Sequence, residues 1–254
     1  MIIQYCSDLH LEFRENKKFL LSNAVQPAGE LLLLAGDIVP FIAIQQHRDF
    51  FDYISDNFEQ TYWIPGNHEY YQYDLDKVAR PLNEKIRDNV FLVDNQTITK
   101  NNVNIICTTL WSRIHPKHAL DVEQGVTDFH VIRKGGHKLD AYIFNHLHDT
   151  SLAFLKHELE QHAGEQNVVM THHVPTMLQY PVFFRNSPIN DAFAVELKEY
   201  IETCGAQYWL YGHHHCNVAD FAIGNTKMIT NQLGYVHENQ HRRFRADAVI
   251  KFED

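Results

Sequence analysis

Five short polar clusters carry the side chains best suited to chemistry in this sequence: Asp8-Leu9-His10, Gly36-Asp37, Gly66-Asn67-His68-Glu69, His172-His173 and Gly212-His213-His214-His215. Every cluster offers carboxylate, carboxamide or imidazole groups, which bind divalent cations or titrate near them. Alone, each has an ordinary reading. "SDLH" is a strand exit, "AGD" a turn, "GNHE" a turn before a helix cap, and "GHHH" a surface loop rich in imidazole. Together they follow one another in order, each behind an apolar run, with nitrogen and oxygen donors throughout. Asp8-x-His10 and His213-x-His215 have a spacing of two, which places both members on one side of an extended chain. His146-x-His148 repeats that spacing within a helical pattern, where the two side chains diverge, so this pair reads as solvated surface.

The elements that must position these clusters are short apolar runs with amphipathic segments between them, the pattern of an α/β protein. Strands are expected at 1–6, 30–37, 61–68, 103–111, 167–173 and 206–214, and helices at 45–58, 74–88 and 191–203. The segment from about 112 to 165 reads as a less regular, partly helical insert whose second part forms one or two helices. Toward the C-terminus, "VADFAI" and "KMITN" flank the turn Gly224-Asn225, and "ADAVIKF" supplies a closing strand, so the sheet system is mixed. With no linker or repeat, residues 1–254 are expected to form one domain. In α/β sheets ligands gather beyond the carboxyl ends of the strands, so the five clusters converge if their strands are neighbours.

Composition narrows the function classes. A formal net charge of −10, from 22 Lys+Arg against 32 Asp+Glu, disfavours extensive binding to nucleic-acid phosphates. The chain opens without a signal-peptide pattern and has no run of membrane-spanning length, so a soluble cytoplasmic protein without membrane association is expected. Cys6, Cys107, Cys204 and Cys216 show no CxxC spacing and are expected to be reduced.

D-x-H, G-D, G-N-H-E, H-x-x-P and G-H-x-H, in that order, resemble the motif signature of the calcineurin-like metallophosphoesterases. They stand here from residue 7 to residue 215, with His172-His173-Val174-Pro175 as the fourth. The resemblance implies a four-layer α/β/β/α sandwich of two mixed sheets with a two-metal site at one edge. Carried over, Asp8, His10 and His215 hold one ion, Asn67, His172 and His213 hold the other, and Asp37 bridges them. The ions would be transition metals (Mn, Fe, Zn, Co or Ni), since imidazoles are poor ligands for calcium. Water activated between them attacks phosphorus, and His68, beside a ligand, protonates the leaving oxygen. His172 is preferred over His173 because it directly follows "VVMT". His214 reads as a packed histidine and Cys216 as a reduced thiol.

Departures from the family's branches narrow the substrate. Asp37 is followed by "IVPF" and Gly66 is preceded by Pro65, so the arginines typical of the protein serine/threonine phosphatases are absent. Pro40 and Phe41 stand where purple acid phosphatases carry a tyrosine ligand, so no purple iron chromophore is expected. The expectation is a hydrolase of phosphodiesters, nucleotides or other small phosphate esters, with Arg113, Arg185 and His173 as candidates for substrate contact. Two alternatives are a nuclease of the same superfamily and a protein-binding scaffold of the same fold.

Overall fold

Two six-stranded sheets form the centre of the computed structural model, which describes residues 1–252. The strands are β1 (Ile2–Cys6), β2 (Leu31–Ala35), β3 (Gln60–Ile64), β4 (Leu82–Arg87), β5 (Val90–Asp94), β6 (Gln96–Lys100), β7 (Val103–Cys107), β8 (Arg133–Lys134), β9 (His137–Lys138), β10 (Gln166–Met170), β11 (Tyr208–Leu210), β12 (Phe221–Ile223), β13 (Thr226–Ile229) and β14 (Val249–Lys251). The α-helices are α1 (Arg14–Ser22), α2 (Arg48–Asn57), α3 (Ala119–Gly125), α4 (Asp128–Val131), α5 (Ala141–Gln161) and α6 (Lys198–Ile201).

The first sheet has the order β14-β1-β2-β3-β5-β4 and the second β12-β13-β11-β10-β7-β6. In each, a parallel centre is flanked on both sides by an antiparallel strand. Central strands covered on both faces need no polar alternation. That is why β2 reads LLLLA: Leu31, Leu33 and Ala35 point between the sheets, whereas Leu32 and Leu34 point outward. Between the sheets they meet Ile105, Val168, Met170 and Leu210 of the second sheet. Outside the first sheet Trp63 packs with Leu20 of α1 and Phe51 and Ile54 of α2; outside the second, Trp209 packs with Leu155 and Leu159 of α5. The result is the α/β/β/α layering that the family resemblance implies. A bridge between Ser7 and Gln232 joins the sheets where β1 and β13 end. No helix among the described residues is long and apolar enough to cross a membrane.

Three expectations need correction. The segment 74–88 is not a helix: a 3-10 turn at Leu75–Lys77 is followed by β4, which pairs antiparallel with β5. Pro81 interrupts the helical pattern, and the sheet edge supplies hydrogen bonds that the helix would have had to make internally. The segment 191–203 is helical only at Asn190–Ala192 and in α6, because Phe193 and Val195 exchange backbone hydrogen bonds with Val174. His148 is not solvated. His146 and His148 do diverge on α5, but His148 turns inward, is 1% exposed, and bonds the carbonyl of Trp111 at 2.8 Å. Strands β5 and β6 and helix α1 have no counterpart in the expected elements. Residues 112–165 contain α3, α4, the β8–β9 hairpin and α5, packed on one another through Phe129, Ile132, Phe144 and Leu147.

Candidate metal centre

The carboxyl ends of β1, β2, β3, β10 and β11 lie at one edge of the sandwich, and each runs into one of the five polar clusters. The exit loops lock together through their backbones: Asp8 N donates to Gly36 O and His10 N to Asp37 O, both at 2.9 Å. Asp8, His10, Asp37, His213 and His215 all have positive φ, between 47° and 78°. For residues with a Cβ, such left-handed backbone costs about 1–3 kcal/mol each and is held only where its surroundings over-determine it. Here lies a further correction. The i, i+2 pairs converge through left-handed turns, not because the chain is extended there.

Glu69 is the anchor of these turns. Its buried carboxylate accepts N–H donors from Gly66 (2.6 Å), Asp37 (2.9 Å) and Ile38 (2.7 Å), with Val39 and the Trp63 indole more distant. Glycine is required where the loops approach most closely. A Cβ on Gly66 would lie 2.2 Å from Asp37 Oδ1 and 2.6 Å from His172 Nε2, and one on Gly212 would lie 2.6 Å from Asp8 Oδ2.

Three groups of donor atoms emerge, each within 4.8 Å: His10, Glu12 and His68, where Glu12 bonds both imidazoles, and two more, Asp8, His10, Asp37 and His215 in one, and Asp37, His172 and His213 in the other. Asp37 belongs to both of the last two. Its Oδ2 lies 3.7 Å from His10 Nε2 and its Oδ1 3.4 Å from His172 Nε2. Asn67 joins the group of His172 and His213, its Oδ1 being 3.1 Å from His172 Nε2, while its amide nitrogen donates to Asp128 at 2.8 Å.

The hydrogen bonds on the far side of each imidazole say what the inward nitrogens are for. Nδ1 of His10 faces Glu12 at 3.2 Å, Nδ1 of His215 faces Gln240 Oε1 at 2.8 Å, and Nδ1 of His172 faces Ala35 O at 2.8 Å. His213 places Nε2 3.4 Å from Ala192 O. With protons on those outer nitrogens, the inner ones carry lone pairs. Yet His10 Nε2 and His215 Nε2 are 2.9 Å apart, and His172 Nε2 and His213 Nδ1 are 3.1 Å apart. Facing lone pairs repel unless a cation or a proton sits between them. A donor set with fixed outer hydrogen bonds is what a bound metal ion requires of its ligands, so the residues fit divalent cations.

The carboxylates favour positive charge at this point, whether a proton on an inward nitrogen or a cation in its place. Burial alone would keep Asp37 neutral, but His172, His68 and His10 hold its carboxyl well below the usual range. Burial opposes a charge on His172, and Asp37 outweighs it, raising His172 to about 10. His68 is raised to about 9 in the same way, burial being overcome by Asp37 and by a 2.9 Å hydrogen bond from Nδ1 to Glu12. Its ring stacks on Tyr71 with centroids 4.0 Å apart, and its Nε2 lies 3.3 Å from the Tyr235 hydroxyl.

Asp37, Asn67, His68, His213 and His215 open into a cavity of about 330 Å³. His172 faces the donor cluster, whereas His173 is fully buried against Trp111, Phe144 and His213. Arg113 and Arg185 line a neighbouring cavity of about 690 Å³, separated from the first by the shared residues Ser187 and Asn190. His214 packs on Tyr180 and bonds Gln232, and all four cysteines are free. Sequence reasoning missed Glu12, Asp128, Tyr235 and Gln240, which hold His10, His68, Asn67 and His215 from outside. Glu12, two residues beyond His10, had a positional signal; Asp128 opens the short helix α4, Gln240 opens a 3-10 turn and Tyr235 lies in a loop, and none of the three stands beside a motif.

Comparison with known proteins identifies the family and the fold. The calcineurin-like phosphoesterase family profile matches residues 1–217. An uncharacterized protein, L509, of Acanthamoeba polyphaga mimivirus is 29% identical over 269 residues, covering 94% of this chain and 93% of that one. Among solved structures, a phosphopantetheinyl hydrolase from Mycobacterium tuberculosis superposes with a TM-score of 0.70 at 16% identity, over 95% of this chain and 92% of that chain. A dimetal phosphatase from Danio rerio aligns at 13% identity with a TM-score of 0.45, over 91% and 87% of the respective chains.

Proposed function

The chain belongs to the calcineurin-like phosphoesterase family, and from that membership we propose that it hydrolyses small phosphate esters with two divalent transition-metal ions. The observation that carries the reading is the sharing of Asp37 between two donor groups whose inward imidazole nitrogens face one another. Asp8, His10 and His215 would hold one ion, Asn67, His172 and His213 the other, with Asp37 between them. When bound, the pair activates water for in-line attack and neutralises charge on the phosphate.

The chain's own residues supply the rest. His68 is not needed as a ligand. It lies over the cavity, and with Nδ1–H given to Glu12, its Nε2 is the nitrogen that passes a proton to the leaving oxygen. The Glu12 carboxylate on Nδ1 favours the protonated ring. Asp128 takes the amide N–H of Asn67 and so aims the carboxamide oxygen inward. The ester would occupy the cavity that Tyr71, Asp128, Tyr180 and Phe184 help to line.

The test is turnover of metal-reconstituted protein on p-nitrophenyl phosphate, its bis ester and cyclic nucleotides, beside the same protein after chelation. Turnover that appears with metal and vanishes on chelation is expected. Protein that binds metal fully and cleaves none of these esters would contradict the reading.

A further inference from the structure

Three tyrosines line the cavity over the donor cluster, and their hydroxyls are not equivalent. Tyr71 gives its O–H to Asp128 Oδ1 at 2.9 Å, and Tyr180 gives its own to Asn190 Oδ1 at 3.4 Å. The Tyr235 hydroxyl has one hydrogen-bond neighbour among the described residues, His68 Nε2 at 3.3 Å. The ring behind it is fixed. Phe13 and His215 meet it edge-on with centroids 5.1 and 4.5 Å away, His10 lies at 4.8 Å, and its backbone N–H is held by Gln240 Oε1 at 2.7 Å. Of the other polar wall groups, Asn67, Asn190 and Gln240 give their amide N–H to Asp128, Phe184 O and Glu238, and neither Thr127 nor Ser187 bonds His68.

A phenol donates one hydrogen bond and can also accept. When His68 carries protons on both nitrogens, Nδ1–H goes to Glu12 and Nε2–H to the Tyr235 oxygen. The Tyr235 proton must then point away from His68, and no protein acceptor receives it. We infer that its acceptor is the substrate: Tyr235 donates a hydrogen bond to the leaving oxygen, beside His68, and is a second catalytic residue at that atom. The inference rests on the phosphoesterase reading above. At 3.3 Å the contact between His68 and Tyr235 is longer than a full N–H···O bond, so an entering oxygen can take its place. An oxygen about 2.8 Å from both atoms closes a triangle on that edge. The step balances without a further reagent. Water adds through its oxygen to phosphorus, and the P–O bond to the leaving group breaks with its electron pair on the leaving oxygen. That oxygen takes the Nε2 proton of His68, while Tyr235 keeps its own. The phenol's hydrogen bond strengthens as negative charge builds on the oxygen, so it favours the transition state over the bound ester.

The test is the kinetics of metal-loaded Tyr235→Phe on p-nitrophenyl, p-chlorophenyl and phenyl phosphate, or on the corresponding bis esters if only those are cleaved. Metal content, measured by titration, should match wild type. On the phenyl ester kcat should fall roughly 10-fold with KM nearly unchanged, as expected for one hydrogen bond made chiefly in the transition state. On the p-nitrophenyl ester, whose leaving oxygen carries its charge without help, the fall should be less than about 3-fold. The deciding comparison is made in His68→Ala, because a tyrosine that acted only by holding His68 would have nothing left to hold. There Tyr235→Phe should again lower the rates and steepen their dependence on leaving-group basicity. Rates in His68→Ala that do not change when Tyr235 is also replaced would overturn the inference. So would an equal loss on all three esters, or loss of metal in Tyr235→Phe, and each of these leaves the phosphoesterase reading standing. Absence of any cleavage by the metal-loaded wild type would overturn both.

Discussion

His213-x-His215 and His146-x-His148 have the same spacing and opposite fates. The first pair leaves β11 in left-handed turns and delivers its rings into the two donor groups on either side of Asp37. The second lies on α5, where one ring faces solvent and the other is buried under Trp111. Spacing therefore has no chemical meaning until the backbone is known. A strand exit can turn two neighbours toward one point; a helix cannot.

Substitutions sharpen this contrast. The largest effect belongs to His215→Ala, which should lower metal affinity by more than the roughly 10–100-fold that loss of an outer hydrogen-bond partner costs, with turnover lost in parallel; metal titration and kinetics on one preparation check it. His68→Ala comes next. It should keep its metal yet lose roughly 10²–10⁴-fold in kcat on an ester with a poor leaving group, and less on p-nitrophenyl esters, whose leaving group needs no proton. Parallel loss of metal would make His68 part of the donor set instead.

Glu12→Gln retains an acceptor but removes the charge that His10 and His68 share through one oxygen. A fall of roughly 10-fold in metal affinity is expected, together with a steeper dependence of rate on leaving-group basicity. Wild-type behaviour in both assays would reduce Glu12 to a packing residue. On the helix, His148→Ala should leave metal content untouched and cost about 1–3 kcal/mol of stability, because the Trp111 carbonyl loses its buried partner. Denaturant unfolding measures that loss. His146→Ala, exposed on the same helix, should stay within about 0.5 kcal/mol of wild type. If His148→Ala instead lost metal, the contrast between the two pairs would fail.

The central strands and the five clusters were legible because burial on both faces writes continuous apolar runs, and because a metal needs donors of few kinds at the ends of those runs. Edges were not. β4 carries one buried residue, Leu82, among mostly exposed ones, and its pattern suits a helix as well as a strand. The choice between His172 and His173 was also hidden: adjacent residues differ only in which way the backbone turns, and His172 Nδ1 finds Ala35 O whereas His173 meets Trp111 and Phe144. Arg113 and Arg185 illustrate the converse. Both stand in loops near motifs, as expected for substrate contacts, but the side of the loop they occupy faces a different cavity. Supports such as Asp128 and Gln240 come from segments whose position depends on tertiary packing, so no local pattern marks them.

The most direct test of the two-ion site is anomalous diffraction from crystals of the manganese-reconstituted protein, beside the same data for Asp37→Ala. Two peaks on opposite sides of the Asp37 carboxylate are expected, one near His10 and His215 and one near His172 and His213, with at least one of them weakened in the variant. A single peak in the wild type, unchanged by loss of Asp37, would contradict the account.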